Sequence, residues 1–169
     1  MANRVARYQA DRTNQKFYFC RIYCQLAEKT PIGQLQDAHI ESAMMHLYGG
    51  YVAFLQEVAR YYNLTMPNPS LLSISQALDA KTQISPEVLR LSQLLQTDFL
   101  ADIETAWQQI LYKPVPQAIE NSTDHHQKLP IIDIMAAPQG LGVSVDMIRQ
   151  WRLDLVEIID SLREGMIEF

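Results

Sequence analysis

Along most of this chain apolar residues recur at alternating spacings of four and three, the pattern of helices with one buried face. In the first segment Tyr8, Arg12, Gln15, Phe19, Ile22 and Leu26 share such a face, predicting a helix from Ala2 to Lys29. Its stretch FYFCRIYC, Phe17 to Cys24, is apolar nearly all round and is expected to lie deep. Thr30-Pro31 reads as an N-cap followed by proline at the first helical position. The second helix then runs to about Asn63, with Ile40, Met44, Leu47, Tyr51, Phe54, Val58 and Tyr61 as its core stripe.

TMPNPS, residues 65–70, breaks that pattern, and Leu71 to Ala80 forms a short extra helix. Ser85-Pro86-Glu87 combines a capping serine, a proline at the first position and an acid in the first turn. The stripe Val88, Leu91, Leu95, Phe99, Ile103, Ala106 and Ile110 predicts one continuous helix to about Tyr112, stopped by Pro114 and Pro116. Residues 113–128 turn polar and read as a surface loop, and 129–143 as an extended apolar segment. Ser144 caps a last helix whose stripe is Ile148, Trp151, Leu155, Ile158 and Leu162. The expected fold is therefore all-α: an up-and-down bundle of four main helices in one domain over 1–169, with a short extra helix and an extended segment before the last helix.

Composition narrows the setting. A chain of 169 residues, 48% hydrophobic and 20% charged, can bury a sizeable core as one soluble unit. No run reaches the roughly 18 apolar residues of a membrane span, and the first residues lack the apolar stretch of a secretory signal. Two cysteines make no disulfide framework, so a cytoplasmic setting is expected. The net charge of −5 is uneven: residues 1–29 carry six basic and two acidic side chains, the rest 8 basic and 17 acidic. A basic first helix on an acidic remainder suits docking within the protein, or an arm for nucleic acid.

The stretch AHIESAMMHLYGGY, residues 38–51, raises the sharpest chemical question. His39 and His46 lie seven residues apart, about 10.5 Å along a helix axis. One zinc ion, with ligands at about 2.0–2.1 Å, cannot take both. Glu-x-x-His spacing is missing as well: Gln36 and Ala43 stand where the acids would be. No metal or cofactor is expected. His46, Gly50 and Glu57 instead fall along one edge of the second helix, with Gly49 beside them, a small-residue strip that suggests a close backbone neighbour. Cys20 and Cys24, one turn apart among apolar residues, read as small core side chains. Neither a phosphate-binding loop nor a G-x-S-x-G elbow occurs. His125-His126 stands in the polar loop.

RTNQKFYF (12–19), ESAMMHLYGGYVAF (41–54) and LREGMIEF (162–169) resemble a family of small uncharacterised helical proteins from gammaproteobacteria. The resemblance implies a single helical domain and marks Arg12, Asn14, Gln15, Lys16, His46, Tyr48 and Arg163 as motif positions. It brings no activity. A broader likeness to helical ribonuclease domains of toxin–antitoxin type lacks their signature, an arginine four to six residues before a histidine. The expected function is a non-enzymatic binding module working through the basic first helix and the His46–Gly50 seam, on an unidentified protein partner or a second copy of itself. The alternatives are nucleic-acid binding by the first helix and a metal or small ligand held at His46.

Overall fold

Six helices make up the described part of the chain, which in this computed structural model is residues 2–112 and 142–167, with side chains over 10–112 and 142–166. They are α1 (Ala2–Lys29), α2 (Gln34–Tyr61), α3 (Leu71–Ala80), α4 (Pro86–Thr97), α5 (Phe99–Leu111) and α6 (Val145–Ile167). No strand occurs among the described residues. The polar stretch 113–128, the segment 129–141, His125, His126 and the Tyr8 side chain lie outside them.

The longest pair, α1 and α2, packs side by side over most of its length. Its contacts run antiparallel: Gln36 bonds the Ala27 carbonyl near the turn, and Thr13 bonds Glu57 at the far end. α6 lies against both, antiparallel to α1, since Arg149 pairs with Glu28 and Arg163 with Asn14. α5 packs on α2 and α6, α4 on α5, and α3 on α4. Phe54, Met44 and Leu47 of α2, Leu91 and Ile103 of α4 and α5, and Ile148, Leu155 and Ile159 of α6 form the centre of the core.

Three sequence expectations are corrected. The buried face of α1 is Thr13, Phe17, Cys20, Cys24 and Ala27, one position round from the expected stripe. Arg12 and Gln15 are exposed, and Leu26 is 41% exposed. A helix apolar nearly all round leaves its orientation to packing, and the smaller face lets α1 approach α2 closely. Thr30 does not cap α2. Its hydroxyl donates to the Leu26 carbonyl at 2.7 Å, and α2 starts after Gly33, whose φ of 151° suits only glycine.

The third correction is a break at Asp98, which divides the expected third main helix into α4 and α5. Asp98 is extended (φ −141°, ψ −174°), ending α4, and its carboxylate accepts from the Phe99 N–H at 2.8 Å to begin α5. The 4-3 stripe runs through the break, so periodicity alone hides it, and the burial pattern shifts to Leu94 and Leu100. Two capping expectations do hold. Ser85 Oγ accepts from Val88 N–H at 3.1 Å and Ser144 Oγ from Met147 N–H at 3.2 Å.

Candidate functional site

Two groupings flank α1, and the motif positions divide between them. On one flank, Thr13, fully buried, donates to Glu57, itself 8% exposed. Arg163 of α6 closes on the same carboxylate with both arms of its fork, Nε to Oε2 at 3.0 Å and Nη2 to Oε1 at 2.8 Å. Its third nitrogen, Nη1, donates to Asn14 at 3.1 Å and Asp160 at 3.3 Å. The guanidinium also stands 6.0 Å from the Phe54 ring centroid. A carboxylate this far out of water needs such a paired partner. Asn14 and Arg163 therefore join α1, α2 and α6. Glu57, which the sequence places at the end of the small-residue strip of α2, bonds side chains of both neighbours.

On the other flank, Lys16 lies across the Gly49 backbone, and a Cβ at Gly49 would meet the Lys16 stem at 3.4 Å. Arg12, one turn earlier, is held by Gln15, whose Oε1 accepts from Nη1 at 2.7 Å. Arg12, Lys16, Met45, Tyr48, Gly49 and Trp107 are among the residues lining a groove of about 350 Å³. The Tyr48 ring stacks on Trp107, centroids 4.7 Å apart and planes 11° from parallel. Burial, with the Glu104 charge adding, pushes the Tyr48 phenol up to about 12, so it stays a neutral donor, reaching Glu104 at 3.5 Å. Neither Arg12 nor Lys16 has a carboxylate partner among the described residues. Burial, and the Arg12 charge after it, holds the Lys16 ammonium below its ordinary value.

His46 sits beside this groove without lining it. Its ring stacks on Tyr23 (5.4 Å) and meets Phe19 edge-on (5.3 Å), and its buried Nδ1 has no hydrogen-bond partner among the described residues. The His39 ring lies 6.1 Å from that of Tyr23. Among the described residues no group of three or more His, Cys, Asp or Glu is placed to hold a metal ion. Cys20 and Cys24 are buried, and Cys24 also edges a cavity between α1 and α6. The two thiols, one turn apart, interact, which pushes Cys20 up and draws Cys24 down.

His46 gives the fold a pH dependence with a definite sign. Burial first, then the Lys16 and Arg12 charges, lower its folded value below 6.5. Below that pH the unfolded chain takes up a proton that the folded one refuses, so stability falls as pH drops; above it both forms are neutral and the effect is absent. Urea midpoints of wild type and His46→Gln are expected to diverge between about pH 8 and about pH 5, with the wild type losing more. Parallel curves would remove His46 as the source.

The expected small-residue strip is real, but side chains rather than a backbone fill it: Lys16 covers Gly49, and the Phe17 ring sits on Gly50. Sequence reasoning missed Thr13, Trp107, Arg21 and Arg152. Thr13 has a signal in its 4-3 spacing with Phe17, Cys20, Cys24 and Ala27, whereas Trp107 and the arginines depend on how α5 and α6 dock.

Fold and groove define an all-helical protein with a cationic, aromatic-walled surface site and no helix, among the described residues, long and apolar enough to cross a membrane. The chain belongs to the Family of unknown function (DUF6586), whose model matches residues 8–169. Comparison with curated proteins and with solved structures gives no match to this chain.

Proposed function

We propose that this protein is a single-domain, cytoplasmic binding module, without catalysis of its own, that takes an acidic segment of a protein partner in the Arg12–Lys16 groove. We read its main helices as an up-and-down bundle, supported by the antiparallel contacts of α1 with α2 and α6. One observation carries the functional reading. Two cations one turn apart, without a carboxylate partner among the described residues, flank a groove walled by a Tyr48–Trp107 stack. Arginine, tyrosine and tryptophan side chains, all three present at this groove, are the groups that most often anchor protein interfaces. Gln15 orients Arg12, and Tyr48 supports the wall. Nucleic acid fits less well, because the chain is net acidic and the two rings cover one another's faces. A ligand centred on His46 fits less well too, since its ring is enclosed by Phe19 and Tyr23.

The test uses Trp107 emission in a Trp151→Phe background, titrated with a poly-glutamate peptide and, separately, with an oligo-thymidine strand. The peptide is expected to change Trp107 emission saturably. The Arg12→Glu, Lys16→Glu variant should lose that response by at least about tenfold, a difference of one charge-assisted contact or more, with helicity unchanged. An undiminished response in the variant, or saturation by the oligonucleotide alone, overturns the reading. A second copy of the chain as occupant would instead show as a groove-dependent dimer in sedimentation velocity.

A further inference from the structure

On the opposite flank of α1, arginines outnumber carboxylates among the residues that line the space beside α6, Glu28 and Asp160 being the acids. Four arginines, Arg21, Arg149, Arg152 and Arg163, line two adjoining cavities between α1 and α6, of about 340 and 270 Å³. Two of them are neutralised at the ends. Arg149 pairs with Glu28 and Asp146, and Arg163 with Glu57 and Asp160. Between these ends stand Arg21 from α1 and Arg152 from α6, each lining both cavities and neither with a carboxylate partner among the described residues. The antiparallel register fixed by the Arg149–Glu28 and Arg163–Asn14 contacts sets Arg21 opposite Val156, one turn from Arg152.

Arg21 is further held by the Tyr18 ring, 5.2 Å from its guanidinium carbon. Two like charges projected into one cleft from opposite helices repel, and the arrangement is relieved when an anion lies between them. Guanidinium forks on two sides suit a tetrahedral anion, which offers oxygens to both, better than a planar carboxylate, which one fork saturates. Val156 gives the cleft an apolar flank, and Asn14 a neutral polar end.

We propose that the α1–α6 cleft is a binding site for a phosphate monoester of a small molecule, its phosphate held between Arg21 and Arg152. The site is separate from the Arg12–Lys16 groove and stands whether or not that groove binds an acidic peptide.

The experiment follows the arginine Nε–H resonances of the full-length protein during titration with phenyl phosphate, with benzoate as a carboxylate of similar body, at constant ionic strength. Phenyl phosphate is expected to shift the Arg21 and Arg152 signals saturably and to raise the thermal midpoint of the wild type. Arg152→Gln and Arg21→Gln should each weaken binding by about tenfold, as loss of a charge-assisted fork does. Arg152→Gln should keep a melting temperature at or above that of the free wild type, because it removes a repulsion, and should lose the phosphate-dependent rise. An Arg12→Gln, Lys16→Gln variant should bind phenyl phosphate as the wild type does. Any of four results overturns the proposal: shifts that grow linearly and spread over all arginines, an equal response to benzoate, wild-type affinity in Arg152→Gln, or loss of binding in the Arg12→Gln, Lys16→Gln control.

Discussion

Arg163→Ala is expected to lower the unfolding free energy by about 3–5 kcal/mol, the range for removing one partner of a buried ion pair. The size follows from what is left behind. Glu57 is 8% exposed and would keep, among the described residues, only the Thr13 hydroxyl as a donor, with two oxygens taken out of water. Solvent reaches Arg163 modestly, 18% of its side chain, so the upper end of the range is discounted. Glu57→Gln should cost less, about 1–2 kcal/mol, because Arg163 retains Asp160 and Asn14 and can turn toward solvent.

The double substitution Glu57→Leu, Arg163→Met removes both charges together and should cost less than Arg163→Ala alone, as apolar substitutes for buried pairs commonly do. Urea unfolding of the three variants and wild type gives the comparison. A cost below about 1 kcal/mol for Arg163→Ala, or a double variant worse than that single one, would show that the pair is solvated and structurally minor.

This pair also shows what the sequence could and could not convey. Arg163 and Asn14 stand out only through a family resemblance, and Glu57 only as the polar end of a strip on α2. None of the three carries a local sign of its partner, because the partners lie 106 and 149 residues apart along the chain. Helix α1 teaches a related lesson. Its limits, Ala2 and Lys29, follow from periodicity and the Thr30-Pro31 stop, yet its orientation does not. Apolar residues surround it from Phe17 to Cys24, and tertiary packing selects the face bearing Thr13, Cys20, Cys24 and Ala27 because small side chains allow the closest approach.

The Asp98 break has the opposite cause. A local capping signal is present in Thr97-Asp98, but an unbroken 4-3 stripe outweighs it in the sequence, and only the structure shows burial passing from Leu95 and Phe99 to Leu94 and Leu100 at the break. Motif positions, likewise, are legible as positions and not as a site. Lys16 and Asn14, two residues apart, point to different flanks of α1, one to the groove with Tyr48 and one to Arg163. A helix that serves two neighbours this way spreads its polar residues round the cylinder, which a single-face reading compresses into one patch.

Gly50→Ala is expected to destabilise the protein while Gly49→Ala, its neighbour, is not. A Cβ at Gly50 would fall 2.5 Å from Phe17 Cε1 and 2.9 Å from two further ring atoms. Phe17 is itself 4% exposed and packed in the core, so its ring has no free direction in which to move. Overpacking of this kind costs about 1–3 kcal/mol, against which the helix gains about 1 kcal/mol from replacing glycine. The net loss reaches about 1–2 kcal/mol where the clash is at the upper end of that range, and part of it comes from pushing α1 away from α2.

At Gly49 the same methyl meets only the Lys16 stem at 3.4 Å, a flexible chain that can yield, so the propensity gain of about 1 kcal/mol is largely kept. Because Phe17 lies one turn from Thr13, a displaced α1 also loosens the Thr13–Glu57–Arg163 junction. Gly50→Ala combined with Arg163→Ala should therefore cost less than the sum of the two, the sign of shared contacts. Thermal and urea unfolding decide it: equal stability of the two alanine variants would mean that Phe17 does not seat on Gly50, and strict additivity would mean that the junction and the seat are independent.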